Sequence, residues 1–345
     1  MNTTISKIDR NNIDKKIIEN AGKIIKEGSL VAFPTETVYG LGADGLNETA
    51  CKSIFEAKGR PSDNPLILHI SNISMLYNLT DNINEESKKL MESCWPGPLT
   101  IIFKKSDKVS STVTAGLDTV AIRYPKDEIA LALISAANTP IAAPSANLSG
   151  KPSPTRAIDV YQDLKGRIPL IIDGGSCDIG IESTVIDLSE EVPTILRPGF
   201  YTYEYIKEIL PNVRLDDSIV DSKKIPKSPG QKYTHYAPKA KMEIFVGEKA
   251  SDEILKKAII EKEKGKKVGV LIFEDQISKF KDFKLISLGN REELNYMSHV
   301  LFTSLRMMDD ENVDLILAEG VSEEGLGKSI MNRMKKSASF NVNYV

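Results

Sequence analysis

The sequence predicts an α/β protein in which a mixed, twisted sheet with flanking helices is followed by a smaller, Rossmann-like open α/β domain. Up to about residue 210, helical periodicities alternate with short apolar runs, and these runs occur in groups. Grouped strands favour a mixed sheet over a wholly parallel one. After Lys241, strand and helix patterns alternate regularly, which is typical of an open α/β domain. A length of 345 residues is sufficient for two domains.

The elements of the first domain follow from periodicity and from the residues that flank each run. A helix over 12–27 ends at Gly28, and a strand over 30–33 follows it. A second helix begins after Asn47 and ends at Lys58, before an apolar strand over 66–70. Further strands are predicted at 100–103, 119–123, 170–172, 183–188 and 194–196, and further helices at 85–93, 128–137 and 203–210.

The segment over 211–240 loses apolar periodicity and separates domains at 1–210 and 241–345. A run from Lys223 to Lys241, which ends one residue beyond this segment, has six lysines and no acidic residue, and the segment also contains Tyr233, His235 and Tyr236. Aromatic residues suit a lid over a flat ligand, and a passive linker is the alternative. In the last domain the predicted strands are 242–246, 268–273, 285–288 and 315–318, and the predicted helices are 252–264, 292–308 and a final helix.

The composition excludes several classes of protein. With 41% hydrophobic and 27% charged residues the chain is an ordinary globular protein, and a net charge of −3 limits any RNA contact to a local patch. The N-terminus lacks the apolar core of a signal peptide, and no run reaches the ~18 apolar residues of a membrane span, so we expect a cytoplasmic protein. Three distant cysteines and three histidines show no zinc-ligand spacing, which predicts buried, reduced thiols.

Common catalytic and nucleotide-binding motifs are missing. No GxGxxG follows a strand, and the stretch from Gly325 to Ser329 has the end of a P-loop without its first glycine. Neither Ser145 nor Ser183 lies in a specific Ser/His/Asp order, so a nucleophilic serine is not predicted.

The stretch KGRPSDNPLILHI, from Lys58 to Ile70, predicts an anion-binding corner. Lys58 and Arg60 lie on a turn from helix to strand, and prolines 61 and 65 stiffen the loop between them and the strand. The alternative is a solvated helix end in which both cations stabilise the helix dipole.

Two other loops have the composition of binding loops. The stretch from Phe33 to Asp44 alternates hydroxyls with glycines, so Thr35, Thr37 and Tyr39 are candidate contacts to a small polar ligand. A glycine-rich turn is the alternative. The stretch over 143–155 is rich in Ser, Pro and Gly, which predicts an exposed loop. Its Ser145, Asn147, Ser149 and Ser153 are candidate donors to phosphate or ribose, and a plain surface loop is the alternative.

Two arginines end predicted strands, Arg123 in AIRYP and Arg197 in ILRPG. An arginine at a strand end can bind a carboxylate or phosphate with both tips of its guanidinium group, and a buried structural ion pair is the competing explanation. Ser183 begins the strand before Arg197 and adds a hydroxyl near the same edge.

Eight ordered segments together resemble one family. The segments are FPTETVYGLG, KGRPSDNPLILHI, WPGPLT, AIRYP, APSANLSG, IESTVID, RPG and SPGQKYTHYAP. On these segments the chain is similar, over essentially its whole length, to the two-domain form of threonylcarbamoyl-AMP synthase (L-threonylcarbamoyladenylate synthase), which has a YrdC-like catalytic domain, a linker and a small C-terminal domain.

The resemblance implies a nucleotidyltransferase that makes L-threonylcarbamoyladenylate from L-threonine, bicarbonate or CO2, and ATP with Mg²⁺, releasing pyrophosphate. This would be the first step of tRNA threonylcarbamoyladenosine modification, with the product passed to the tRNA threonylcarbamoyl transferase complex. By resemblance, the catalytic cations are Lys58, Arg60 and Arg197. The implied ATP contacts are Lys58, Arg60, Asn64, Thr119, Ser145, Asn147, Ser153, Arg197 and Tyr236, and the implied L-threonine contacts are Thr35, Thr37, His69, Arg123, Ala143 and Ser183.

Two rival functions belong to other classes. RNA binding without catalysis is compatible with the basic linker, and its affinity would depend on salt but not on ATP. Carbamoyl transfer in hydrogenase maturation also uses a YrdC-like domain, within a much longer chain. The absence of zinc-finger cysteines and of an acylphosphatase-like segment in this sequence argues against that second rival.

Overall fold

A computed structural model describes residues 1–220 and 236–345. The described chain forms two compact units, of which the first comprises 1–149, 153–178 and 182–220 and the second comprises 150–152, 179–181 and 236–345. The predicted lid residues Tyr233 and His235 lie outside the described residues. The predicted domain limits of 1–210, 211–240 and 241–345 remain a prediction.

The first unit is built on an eleven-stranded sheet flanked by helices. Its strands are β1 Thr4–Lys7, β2 Val31–Phe33, β3 Gly40–Asp44, β4 Ile67–His69, β5 Leu99–Lys104, β6 Thr119–Arg123, β7 Ile141–Ala142, β8 Leu170–Asp173, β9 Thr184–Asp187, β10 Thr194–Arg197 and β11 Arg214–Leu215. Its helices are α1 Lys15–Lys26, α2 Glu48–Lys58, α3 Ile73–Leu76, α4 Glu85–Cys94, α5 Ser111–Thr114, α6 Glu128–Ala137, α7 Ala157–Leu164, α8 Tyr203–Ile209 and α9 Asp217–Val220.

The strands of this sheet follow the order β1-β8-β2-β3-β7-β4-β6-β5-β9-β10-β11. β4 runs parallel to β6, β6 antiparallel to β5, and β5 parallel to β9. The sheet is therefore mixed, as predicted.

Helices α1 and α6 pack against each other beside this sheet. α1 begins after Asp14, whose carboxylate accepts hydrogen bonds from two backbone amides of the first turn and so satisfies donors that a helix start leaves unpaired. Its buried face includes Ala21 and Gly22, and a β-carbon at Gly22 would lie 2.9 Å from the β-carbon of Ala136 in α6. The missing side chain lets the two helices approach closely.

The glycine-rich stretch over 40–44 is a buried strand, so its interpretation as a loop or turn is wrong. β3 pairs antiparallel with both β2 and β7. A β-carbon at Gly42 would lie 2.8 Å from side-chain atoms of both Phe33 and Ile141. Glycine is depleted in strands, but here it accommodates large neighbours on either side. Sequence patterns also missed β1, β7, β11, α3, α5, α7 and α9.

The first ten residues of the predicted linker, 211–220, belong to the first unit. β11 pairs in parallel with β10 at the sheet edge, and α9 follows it. A two-residue strand has too little periodicity to be recognised in sequence.

The second unit contains a five-stranded sheet in the order β14-β13-β15-β12-β16, in which every pairing between described strands is parallel. A core including Phe245, Ile254 and Phe280 packs within this unit. Sequence patterns missed β16 and the 3-10 helix over Glu274–Phe280. The strands are β12 Lys241–Val246, β13 Val268–Ile272, β14 Lys284–Ser287, β15 Leu315–Glu319 and β16 Val342–Tyr344, and the α-helices are α10 Ala250–Glu263, α11 Leu294–Asp310 and α12 Leu326–Ser337.

Two expectations from composition bear on these units. All three cysteines are buried and free, as predicted. Across residues 1–220 and 236–345, none of the helices has the length and apolar character needed to cross a bilayer.

Candidate active site

Sheet register brings four residues from separate segments into one row. His69, the last residue of β4, pairs with Arg123 at the end of β6, and Arg123 pairs with Thr100 of β5. The Thr100 hydroxyl lies 2.8 Å from the hydroxyl of Ser183, which precedes β9. All four side chains are buried. They form a polar row across the ends of the neighbouring strands β4, β6, β5 and β9, inside the sheet.

The predicted threonine contacts meet at this row. Nη1 of Arg123 donates to the Thr37 hydroxyl at 2.8 Å, and the Thr37 and Thr35 hydroxyls are 2.9 Å apart. Thr35 also donates to the backbone carbonyl of Val38 at 2.7 Å, which orients this hydroxyl chain. Ala143 joins the same region because its amide donates to Ile67 in β4 at 2.9 Å.

Glu36 is the residue that sequence reasoning missed. It lies between Thr35 and Thr37 on the loop from β2 to β3, and its Oε2 lies 2.8 Å from Nη2 of Arg123. Both side chains are buried, so the structural ion pair considered for Arg123 is present. A carboxylate between two threonines, directly after an apolar strand, was the signal available in the sequence.

His69 is held neutral by its surroundings. Burial, together with the neighbouring Arg123 charge, lowers its pKa to about 3. Its ring meets Phe33 edge-on, with ring centroids 6.3 Å apart, and Nδ1 lies 3.2 Å from the carbonyl of Ile67. A neutral imidazole can accept or donate one hydrogen bond to a hydroxyl ligand.

Arg197 reaches the same row from β10. Its Nε donates to the Ser183 carbonyl and its Nη2 to the Ser183 hydroxyl, both at 3.0 Å. Ser153 is buried and donates to Glu182 at 2.5 Å, which fixes the residue next to Ser183. The phosphate and threonine candidates thus share Ser183 as a common neighbour.

Lys58 is buried, so the solvated helix end is wrong for this residue. Its ammonium group donates to the backbone carbonyls of Ser145 and Asn147, the latter at 2.6 Å, and to the Asn147 side chain at 3.3 Å. The Ser145 hydroxyl also donates to the Asn147 side chain at 2.6 Å. A buried lysine thus binds the loop after β7, and Asn147 and Ser153 are buried although an exposed loop was predicted.

Arg60 lies just outside this buried group. It follows Gly59, the left-handed cap of α2, and donates to the carbonyls of Asn64 and Pro65 at 3.2 and 3.4 Å. Its guanidinium carbon lies 5.9 Å from the centre of the Phe55 ring. These hydrogen bonds hold the loop that follows Arg60 close to its guanidinium group. Arg60 lines a cleft of about 860 Å³, whose lining includes residues 59–63, 111 and 112.

Two further predicted ATP contacts are Thr119 and Tyr236. Thr119 begins β6, four residues before Arg123, which corresponds to roughly 13 Å along a strand, so it lies outside the polar row. Tyr236 belongs to the second unit, where it packs against Phe302 with ring centroids 5.0 Å apart. Among the residues with described positions, no group of three or more His, Cys, Asp or Glu side chains could hold a metal ion.

Comparisons with known proteins agree with this architecture. A Sua5, YciO and YrdC family model, described as Telomere recombination, matches residues 23–199. A second model, described as Threonylcarbamoyl-AMP synthase, C-terminal domain, matches residues 201–339. The fold and the polar row therefore belong to a YrdC-like domain joined to a Sua5 C-terminal domain.

Full-length relatives narrow the assignment. The threonylcarbamoyl-AMP synthase of Pyrococcus abyssi is 48% identical over 96% of this chain and 97% of that protein. The Bacillus subtilis protein of the same name is 48% identical over 93% and 92% of the two chains. A crystal structure of P. abyssi Sua5 complexed with L-threonine matches with a TM-score of 0.94 and 46% identity, covering 99% of this chain and 100% of that one. The chain belongs to the two-domain Sua5 family of threonylcarbamoyl-AMP synthases.

Proposed function

We propose that this protein synthesises L-threonylcarbamoyladenylate from L-threonine, bicarbonate or CO2, and ATP, and releases pyrophosphate. The observation that carries the proposal is the buried row in which Arg123, His69 and Thr37 adjoin Ser183 and Arg197. Support also comes from relatives named threonylcarbamoyl-AMP synthase and from the L-threonine complex of a similar protein.

The proposed reaction needs no protein nucleophile. The threonine ammonium group releases one proton to solvent, and the resulting neutral amine forms a bond to the carbon of CO2. The nitrogen then loses a second proton to solvent, and an oxygen of the resulting carbamate attacks the α-phosphorus of ATP. The bond from the α-phosphorus to the oxygen bridging it to the β-phosphorus breaks, and pyrophosphate leaves with the bonding electrons. The protein supplies positioning and positive charge where negative charge develops.

In this proposal some polar groups of the site bind L-threonine and others bind ATP. Arg123 binds the threonine carboxylate, and neutral His69 and the Thr37 hydroxyl contact the threonine hydroxyl. Arg197 lies next to the α-phosphate, and Arg60 and Lys58 contribute positive charge toward the phosphates. A site that hydrogen-bonds the hydroxyl discriminates strongly against amino acids that lack it.

Mg²⁺ is proposed to arrive with the nucleotide. Magnesium in such sites is held by one or two carboxylates together with the substrate phosphates. Mg²⁺ held in this way would neutralise charge on the ATP phosphates. The product would then enter tRNA threonylcarbamoyladenosine modification through a tRNA threonylcarbamoyl transferase complex.

The test is direct. The protein is incubated with ATP, bicarbonate, Mg²⁺ and labelled L-threonine, and both pyrophosphate and a labile threonylcarbamoyl adenylate are measured. We expect both products to form with threonine and to be strongly reduced with L-serine or L-valine. Equal adenylate formation with serine, or none with threonine, would contradict the proposal.

A further inference from the structure

Glu36 is a buried carboxylate that has no role in the reaction proposed above. The residue is 5% exposed and lies on the loop between β2 and β3, flanked by two threonines of the hydroxyl chain. An ionised carboxylate at such a position costs free energy unless its charge is matched and its oxygens are hydrogen-bonded.

The hydrogen bonding of Glu36 is incomplete. Oε2 lies 2.8 Å from Nη2 of Arg123, which is within ion-pair distance. Among the residues that the structure describes, neither Oε1 nor Oε2 of this buried carboxylate accepts a hydrogen bond. A nearby acid, Asp127, differs because it pairs with Arg10 and accepts the Ala130 amide at 2.9 Å. Only Glu36, of these two acids, keeps a carboxylate oxygen open to a donor from outside the protein.

In the Arg123 guanidinium group, Nη1 donates to Thr37 and Nη2 lies at ion-pair distance from Glu36. Nε and Nη2 have no hydrogen-bond partner among the described residues. A substrate carboxylate that accepts hydrogen bonds from Nε and Nη2 therefore approaches Glu36 as well. Two carboxylates beside one arginine repel each other unless a second positive charge is present.

An α-amino acid supplies that second charge on the atom next to its carboxylate. We infer that Glu36 is a specificity-determining residue that binds the substrate ammonium group while Arg123 binds the carboxylate. The Glu36–Arg123 pair has no net charge, and neither has the zwitterionic amino acid. Its carboxylate would lie next to Arg123 and its ammonium group next to Glu36, so binding adds no net charge to the buried site. The inference rests on the proposed function, since it assigns a further contact to the threonine site.

The inference predicts a change in preference between two ligands. L-Threonine and (R)-3-hydroxybutanoate share the carboxylate, the methyl group and the hydroxyl, and only threonine carries the ammonium. In the unmodified protein, threonine should bind far more tightly. In Glu36→Gln, threonine affinity should fall roughly 10- to 100-fold, the loss expected for a charge-assisted hydrogen bond, whereas affinity for hydroxybutanoate should stay the same or rise.

Isothermal titration calorimetry of both ligands and of ATP provides the measurement. Glu48→Gln, which alters an exposed glutamate of α2 in the same unit, is the matched control and should change neither affinity. If Glu36→Gln fails to fold, Glu36→Asp keeps the charge on a shorter side chain and should weaken threonine binding while leaving hydroxybutanoate unchanged.

Four outcomes distinguish the possible explanations. Equal loss of both ligands in the variant would mean that Glu36 only positions Arg123, and would overturn the inference. Unchanged threonine affinity would overturn it as well. An unmodified protein that binds no threonine would overturn both this inference and the proposed function, whereas normal threonylcarbamoyl adenylate synthesis with an unchanged ligand preference in Glu36→Gln would overturn the inference alone.

Discussion

Lys58 connects a helix end to a loop that follows it by almost ninety residues in the chain. Its buried ammonium group donates to the carbonyls of Ser145 and Asn147 and so holds the loop in place. In the proposed function, the same positive charge also acts on the ATP phosphates. At the scale of the residue, a single side chain thereby has both a structural and a proposed electrostatic role.

Replacing Lys58 tests both roles. Lys58→Met preserves much of the side-chain length but removes three donors, so unfolding free energy should fall by about 1–3 kcal/mol. Pyrophosphate release with threonine should fall about a hundredfold, as expected when one charged contact to a transition state is lost. Lys52→Met, on the same helix and 58% exposed, is the control. Unchanged turnover in Lys58→Met would remove this lysine from the proposed machinery.

The pKa of His69 predicts a loss of stability in acid. Burial lowers the pKa to about 3 from an ordinary value of 6.5, so between these values the unfolded chain binds a proton that the folded chain does not. Protonation of the unfolded chain therefore destabilises the fold progressively as pH falls below about 6.5. The destabilisation should stop growing near pH 3.

Urea unfolding of the unmodified protein and of His69→Gln between pH 7 and pH 4 measures this effect. The unmodified protein should lose more stability over the range, because glutamine cannot take up a proton. Parallel pH profiles for the two proteins would show that His69 titrates normally in the folded state.

At the scale of elements, the contact between α1 and α6 depends on a missing side chain. Gly22→Val would insert a branched side chain at a position where even an added β-carbon would lie only 2.9 Å from the β-carbon of Ala136. We expect a loss of about 1–3 kcal/mol in unfolding free energy, as is typical of overpacked interiors. Lys23→Val, one position along and 73% exposed, introduces the same branched side chain on the exposed face of the helix and serves as the control. Equal losses in the two variants would contradict close packing at Gly22.

Strand ends carry most of the candidate site. His69 and Arg123 end neighbouring strands β4 and β6, and Arg197 ends β10. Apolar periodicity identified these strands and polar residues marked their ends, so this part of the site was predictable from sequence. β3 was not predictable, because its glycines obscure a strand whose existence depends on pairing with β2 and β7.

At the scale of the whole molecule, the predicted lid over 211–240 remains to be tested. Tyr236 packs on Phe302 in the second unit, and Tyr236→Phe should keep this ring contact. If the hydroxyl contacts ATP, turnover should fall roughly fivefold, the loss expected for one neutral hydrogen bond. Pyrophosphate release measures this effect.

A deletion tests the segment as a whole. Removing residues 228–238 should reduce adenylate formation more than Tyr236→Phe does, and a Gly/Ser segment of equal length in their place should not restore it. Unchanged turnover in both Tyr236→Phe and the deletion would refute the lid.

The sequence by itself determined the α/β class, the mixed first sheet, the buried cysteines and the strand-end arginines. These follow from periodicity, composition and local turn chemistry, which act between residues close in the chain. Only the tertiary structure decided that Lys58 binds the loop after β7, that Arg123 pairs with Glu36, and that Arg197 meets Ser183. Sheet register and burial bring these partners together although they are far apart in the chain. Local sequence patterns depend only on neighbouring residues, so they cannot predict such contacts.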